Sequence, residues 1–212
     1  MPTSLERSPE LAAAPPGRIA QATCPAPRQP EARLDFPALS ALPLQDFVQA
    51  LSDVLEYAPQ LIERTWEKRP FESAADLYGQ LMEELRRASE AEKRQLFAAH
   101  GDLGDALGLE GHLSLACLHE QRAAGLHSGP MAEREKLHEL SARYRRRFGF
   151  PCLIALQPVG RGQVIRTLAR RLRNNAADEF AENLRQLGLI VSYRLHRRCT
   201  HPRRALAAML NA

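Results

Sequence analysis

The run His100-Gly101-Asp102-Leu103-Gly104 is followed by Cys117-Leu118-His119-Glu120-Gln121. Histidine titrates near neutrality, so His100 is suited to take up and return a proton at physiological pH. Cys117, Glu120 and Gln121 are spaced i, i+3, i+4, which places a thiol, a carboxylate and an amide on one face of a helix. Such a wall offers hydrogen bonds to a polar ligand, with the thiol as its weakest member. Each residue also has a plainer explanation. A histidine at a helix end can simply interact with the dipole, and a Glu-Gln pair can be a solvated face.

Two arginines stand apart from the rest. At 100° per residue, Val164, Ile165, Leu168, Ala169 and Leu172 share one arc; Arg166, Arg170 and Arg173 lie opposite, and Arg171 lies at the apolar edge. Further on, Phe180, Leu184, Leu187, Ile190, Val191 and Leu195 form an arc that contains Arg194. A guanidinium aimed at a core requires an anion. Either an internal ion pair or snorkelling stem explains Arg194, or its planar fork clamps a substrate carboxylate or carbonyl.

The elements that must position these residues are helical. With 212 residues, 44% of them hydrophobic and 25% charged, the chain can build one domain with a sizeable core. The first forty residues hold eight of the fifteen prolines and show no period, so they read as a disordered tail ending near Leu39. A helical domain is expected over 41–200, with 201–212 as a C-terminal tail.

Leu44, Phe47, Val48, Leu51, Val54 and Leu55 make one helical stripe ending about Pro59, and Leu61 to Trp66 a second. Ser73 with Asp76 and Ser89 with Glu92 resemble capping boxes, the second helix stopping at Gly101. Ser114 caps a helix running to Gly125, and Leu137, Leu140, Tyr144 and Phe148 mark another. Phe150–Leu156 reads as extended or an imperfect turn, and two helices close the chain at about Gln163–Arg173 and Asp178–Arg197. The expected fold is all-α, a single compact bundle of about eight helices.

Several classes lose support. No run approaches the about 18 apolar residues of a membrane span. The start lacks an apolar signal region, and Leu210-Asn211-Ala212 is no peroxisomal address, so a cytoplasmic location is the expectation. Cys24, Cys117, Cys152 and Cys199 form no Cys-x-x-Cys pair and read as free thiols, and the histidines show no metal-ligand spacing. Between Arg143 and Arg173 stand nine arginines and no acidic residue, a stretch able to meet nucleic acid, a small anion or water.

Taken in order, these pieces resemble a known family. His100-Gly101-Asp102-Leu103 is followed by Cys117-x-x-Glu120-Gln121-x-x-Ala124-Gly125-Leu126, then Tyr144, Arg147-Phe148-Gly149-Phe150-Pro151 and Arg171-Leu172-Arg173-Asn174 with Glu179, Ile190 and Arg194-Leu195. Upstream stand Glu56 with Pro59 and Arg69-Pro70-Phe71. Over about residues 43–198 this is similar to the OHCU decarboxylases, which act on 2-oxo-4-hydroxy-4-carboxy-5-ureidoimidazoline. Gly101, Cys117 and Cys152 stand where the family pattern has proline, serine and phenylalanine. The glycine loosens the turn at His100, and the thiol bonds more weakly than a hydroxyl.

The resemblance implies a homodimeric enzyme that makes (S)-allantoin with no metal or organic cofactor. It implies that His100 is the catalytic acid/base, with Glu120 beside it. Gly101, Cys117, Gln121 and the backbone of Cys152, Leu153, Ile154, Ala155 and Leu156 would bind the ureidoimidazoline, with Arg171 and Arg194 as anion clamps. Two alternatives stay open. One is a paralogue of the same fold with altered substrate or no turnover; the other is a nucleic-acid-binding protein using the basic stretch.

Overall fold

A computed structural model describes residues 34–105, 113–157 and 159–199. Nine helices and no strand occur among the described residues: α1 (Phe36–Ala41), α2 (Leu44–Leu51), α3 (Pro59–Trp66), α4 (Ala74–Arg87), α5 (Glu90–Ala98), α6 (Leu115–Ala123), α7 (Met131–Phe148), α8 (Arg161–Arg171) and α9 (Ala176–Cys199). The all-helical expectation holds. No described helix is long and apolar enough to cross a membrane.

Local chemistry sets most boundaries. Ser89 and Glu92 form a reciprocal capping box, and Ser114 caps α6 through the Cys117 N–H. Ser73 caps α4, but Asp76 reaches back to the Glu72 N–H instead of closing the box on Ser73. Gly149 ends α7 at φ +79°, a left-handed cap that suits glycine.

The N-terminal boundary differs from the expectation. Leu34 and Leu39 are 7% and 3% exposed, and the Leu34 N–H donates to the Arg198 carbonyl at 3.1 Å. The packed domain therefore begins before the expected tail end at Leu39; α1 is too short to show a period within proline-rich surroundings. The rest of the expected tail, and the segment 201–212, lie outside the described residues.

The stripe from Leu44 to Leu55 is also broken. α2 stops at Leu51, although Val54 and Leu55 are buried. The Ala50 and Asp53 carbonyls, which a continuing helix would use, accept from Arg198 and Arg194 of α9 instead. Pro59 then starts α3, as its fixed φ and missing N–H favour.

Phe150–Leu156 runs through the interior as an extended strap, each residue less than a tenth exposed. Its polar backbone needs partners there, and α8 and α9 supply them from side chains. Asn183 accepts from the Leu153 N–H at 2.9 Å and donates to the Pro151 carbonyl at 3.0 Å; Gln186 accepts from the Ala155 N–H at 2.8 Å. Arg171 donates to the Leu153 carbonyl at 2.6 Å, to Asn183 at 2.8 Å and to Glu179 at 2.5 Å. Tyr144 from α7 adds a 2.5 Å bond to Glu179.

If α1 belongs to the domain, Leu39→Ala lowers the unfolding free energy by about 2–5 kcal/mol, the usual cost of emptying a buried leucine site. Leu44→Ala, at a position 37% exposed, changes it by about 0.5 kcal/mol or less. Denaturant titration of both variants reads the difference, and equal small effects would return α1 to a tail.

Candidate active site

Arg194 on α9 is 3% exposed and lies between two carboxylates from distant parts of the chain. Its Nε and Nη2 donate to Glu120 of α6 at 2.8 and 2.9 Å, a bidentate fork. Its Nη1 donates to the Asp53 carbonyl at 3.1 Å and lies 2.9 Å from Glu56 Oε2. Burial alone lowers the pKa of a guanidinium, but Glu56 and Glu120 outweigh it and raise the value, so Arg194 is a fixed cation. Of its two readings, the geometry supports the internal pair. Arg194 belongs to the site as the group that immobilises Glu120.

His100 follows the end of α5 and is 5% exposed. Its Nδ1 lies 2.8 Å from the Leu96 carbonyl oxygen. A carbonyl can only accept, so Nδ1 carries the hydrogen and Nε2 of the neutral ring keeps its lone pair. The Tyr57 ring meets the imidazole edge-on, centroids 5.0 Å apart. Burial pulls the His100 pKa below its ordinary value near 6.5 against Glu56, the Leu96 bond and Glu120, leaving a neutral base at neutral pH.

The turn carrying His100 is tied down on three sides. Asp102 accepts from Arg145 Nε at 3.0 and 3.2 Å, and Arg145 Nη2 donates to the His100 carbonyl at 3.2 Å. Ser141 Oγ donates to the Leu103 carbonyl at 3.0 Å. Gly104 sits at φ +85°, where a Cβ would come 2.7 Å from Leu137 Cδ2. These contacts restrain the freedom that Gly101 introduces.

Gln121 is fully buried and holds the same turn. Its Oε1 accepts from the Gly104 N–H at 2.9 Å and lies 3.2 Å from His127 Nε2, while its Nε2 donates to the Asp102 carbonyl at 3.3 Å. In the structure its amide is engaged in positioning the histidine turn. Cys117 Sγ lies 3.6 Å from Gln121 Nε2. Burial pushes its thiol up to about 11, so it is a neutral packing and hydrogen-bonding group rather than a nucleophile.

The structure therefore unites His100, Cys117, Glu120, Gln121 and Arg194, with Gly101 in the adjoining turn, and adds Glu56 and Tyr57. Glu56 stood in the sequence motif with no role; a helix continued past Leu51 hides its approach to Arg194. Arg171, expected as a second clamp, is 1% exposed and occupied by Glu179, Asn183 and the Leu153 carbonyl. It fixes the strap. The Leu153 and Ala155 N–H groups, expected to meet a ligand, are likewise taken by Asn183 and Gln186. Cys152 is buried as a thiol, its pKa pushed by burial up to about 12, and Ile154 and Leu156 pack in the core. A groove of about 640 Å³ lined by Gly104, His127, Met131 and Arg134 contains none of His100, Glu120 or Arg194.

These contacts set a titration. Folded His100 is expected to become protonated below pH 6.5, with the hydrogen on Nδ1 in its neutral form, as read by nitrogen and carbon NMR shifts. Its depressed folded pKa gives stability that is complete above the unfolded value near 6.5 and is lost as the pH falls through the folded midpoint. A midpoint at or above 6.5, or an Nε2–H tautomer, would contradict this electrostatic picture.

Comparison with known proteins agrees with this architecture. Two solved structures share the fold: one titled "Crystal structure of (S)-allantoin synthase" (TM-score 0.63, 20% identity, 78% of this chain and 54% of that one) and one of an OHCU decarboxylase in the presence of (S)-allantoin (TM-score 0.57, 14% identity, 69% and 94%). A 2-oxo-4-hydroxy-4-carboxy-5-ureidoimidazoline decarboxylase from Halalkalicoccus jeotgali is 30% identical over 163 residues, 77% of this chain and 90% of that protein. The Homo sapiens protein of that name, designated putative, is 32% identical over 162 residues, 76% of this chain and 94% of that one. The family profile described as OHCU decarboxylase matches residues 40–196, and the chain belongs to that family.

Proposed function

We propose that this protein decarboxylates 2-oxo-4-hydroxy-4-carboxy-5-ureidoimidazoline to (S)-allantoin, a step of urate degradation. The observation that carries this reading is a buried histidine of fixed tautomer beside an immobilised carboxylate, in a chain of this family. Loss of CO2 leaves an electron pair that the substrate's own adjacent C=N accepts, so the chemistry needs no external electron sink. The remaining task is to place a proton on one face of the ring carbon while the hydroxyl becomes a carbonyl. A second proton comes from solvent, because the carboxylate leaves as neutral CO2.

Neutral Nε2 of His100 can take the hydroxyl proton and return it to carbon. Glu120 keeps lone pairs beyond those used by Arg194, enough to accept ureido N–H bonds. Because its partner fork does not rotate away, the ligand meets acceptors already in place, and orientation contributes as much as proton transfer.

The working form is proposed to be a homodimer, on the strength of the family resemblance, and its location the cytoplasm, the expectation from the sequence. Nucleic acid is not proposed as a partner, since Arg171 and Arg194 of the basic helices are neutralised inside the protein.

The test uses substrate made freshly from urate with uricase and hydroxyisourate hydrolase. Addition of the protein accelerates its decay; His100→Asn lowers kcat by about 10²–10⁴-fold, the usual worth of general acid/base catalysis. Arg170→Lys, on an exposed helix face, is the control and retains wild-type turnover. Most of the activity surviving in the His100 variant would remove this residue from proton transfer.

A further inference from the structure

The turn between α2 and α3 does more than connect them. Tyr57 sits at φ +60°, a left-handed conformation that a bulky residue keeps only when its surroundings impose it. This backbone brings the Tyr57 ring to His100 and the Asp53 carbonyl to Arg194. Between them stands Glu56, 5% exposed. Its Oε2 pairs with Arg194 Nη1 at 2.9 Å, a nitrogen that it shares with the Asp53 carbonyl. Nη1 is directed at the Asp53 carbonyl, while Nε and Nη2 are directed at Glu120. A carboxylate that shares one guanidinium nitrogen with a carbonyl keeps lone pairs free, and one held this close to His100 is placed to accept from a donor brought by a ligand.

We propose that Glu56 is a further substrate-contacting residue of this site, its Oε2 accepting a hydrogen bond from an O–H or N–H of the ureidoimidazoline next to the atom that His100 serves. This role rests on the decarboxylase activity proposed above. An ionised carboxylate only accepts, and the substrate carries a hydroxyl and several N–H groups but an acceptor-only carboxylate. Glu56 therefore sorts the ligand's orientation: it attracts the hydroxyl and ureido edge and repels the carboxylate.

The charged and polar groups that face His100 are Glu56 from this turn, Glu120 from α6, Arg194 from α9 and the Leu96 carbonyl from α5. Burial lowers the pKa of His100, and Glu56 is the strongest influence opposing it. Removing the Glu56 charge therefore shifts protonation of His100 to lower pH, a signature of the charge itself, while a change in KM reports contact with the ligand.

Kinetics of Glu56→Gln and Glu56→Asp on freshly made substrate, with the Tm of each, test this role. Glu56→Gln is expected to raise KM about tenfold or more, the loss of a charge-assisted hydrogen bond, and to move the acid limb of kcat/KM to lower pH. Glu56→Asp keeps the charge near Arg194 but withdraws the oxygens by one methylene, so KM rises while the acid limb stays. A wild-type KM in either folded variant overturns the proposal, whatever happens to Tm; if Glu56→Gln does not fold, Glu56→Asp decides alone. Wild-type protein that fails to accelerate substrate decay overturns the decarboxylase reading and this role with it. Wild-type turnover combined with unchanged KM in a variant overturns this role only.

Discussion

A guanidinium cannot leave water unless anions meet it, and the site is organised around that constraint. Arg194 is buried because Glu120 on α6 and Glu56 in the α2–α3 turn both reach it. Three segments far apart in sequence are thereby fixed to one charged centre, and the carboxylate of Glu120 is immobilised. Such a buried pair contributes little net stability compared with apolar packing, yet removing one partner leaves an uncompensated charge, at a cost of about 3–5 kcal/mol. The pair is therefore better understood as a device for geometry than for stability. It sets where two negative charges stand relative to His100.

A second buried arginine solves a different problem. Among the described residues the Phe150–Leu156 strap has no neighbouring strand to satisfy its backbone, and Arg171, Asn183 and Gln186 act as a substitute sheet edge. Glu179 balances Arg171 and is held by Tyr144 and Asn174. With the strap fixed, Phe150 packs against Phe97 and Phe180, which locks α5, the helix whose Leu96 carbonyl sets the tautomer of His100. One network holds His100 through its helix; the other holds the charges that tune it.

Period and capping made most helices legible in the sequence, because amphipathic stripes and Ser-x-x-Glu signals are local. The six residues of α1 carry no readable period, and proline-rich neighbours disguise Leu34 and Leu39. His100, Glu120 and Arg194 were recognisable as site members from motif order and helical phase. Phase showed that Arg171 and Arg194 point inward, but not which anions await them, since those lie on other elements. The sequence alone therefore points Gln121, Arg171 and the backbone of Leu153 and Ala155 toward a ligand, whereas in the structure tertiary contacts engage them. Glu56 was hidden for a related reason. The helix that its apolar neighbours Val54 and Leu55 extend in the sequence pattern ends at Leu51, where α9 captures the carbonyls of Ala50 and Asp53.

The central claim is that this site delivers a proton to one face of the decarboxylated ring. The most direct measurement is the circular dichroism of allantoin formed from freshly generated substrate, followed faster than the product racemises. With the protein present, the signal is expected to be that of (S)-allantoin at full amplitude, while spontaneous decay without protein gives none. Accelerated decay yielding racemic allantoin from the first time point, or no acceleration at all, would contradict the account.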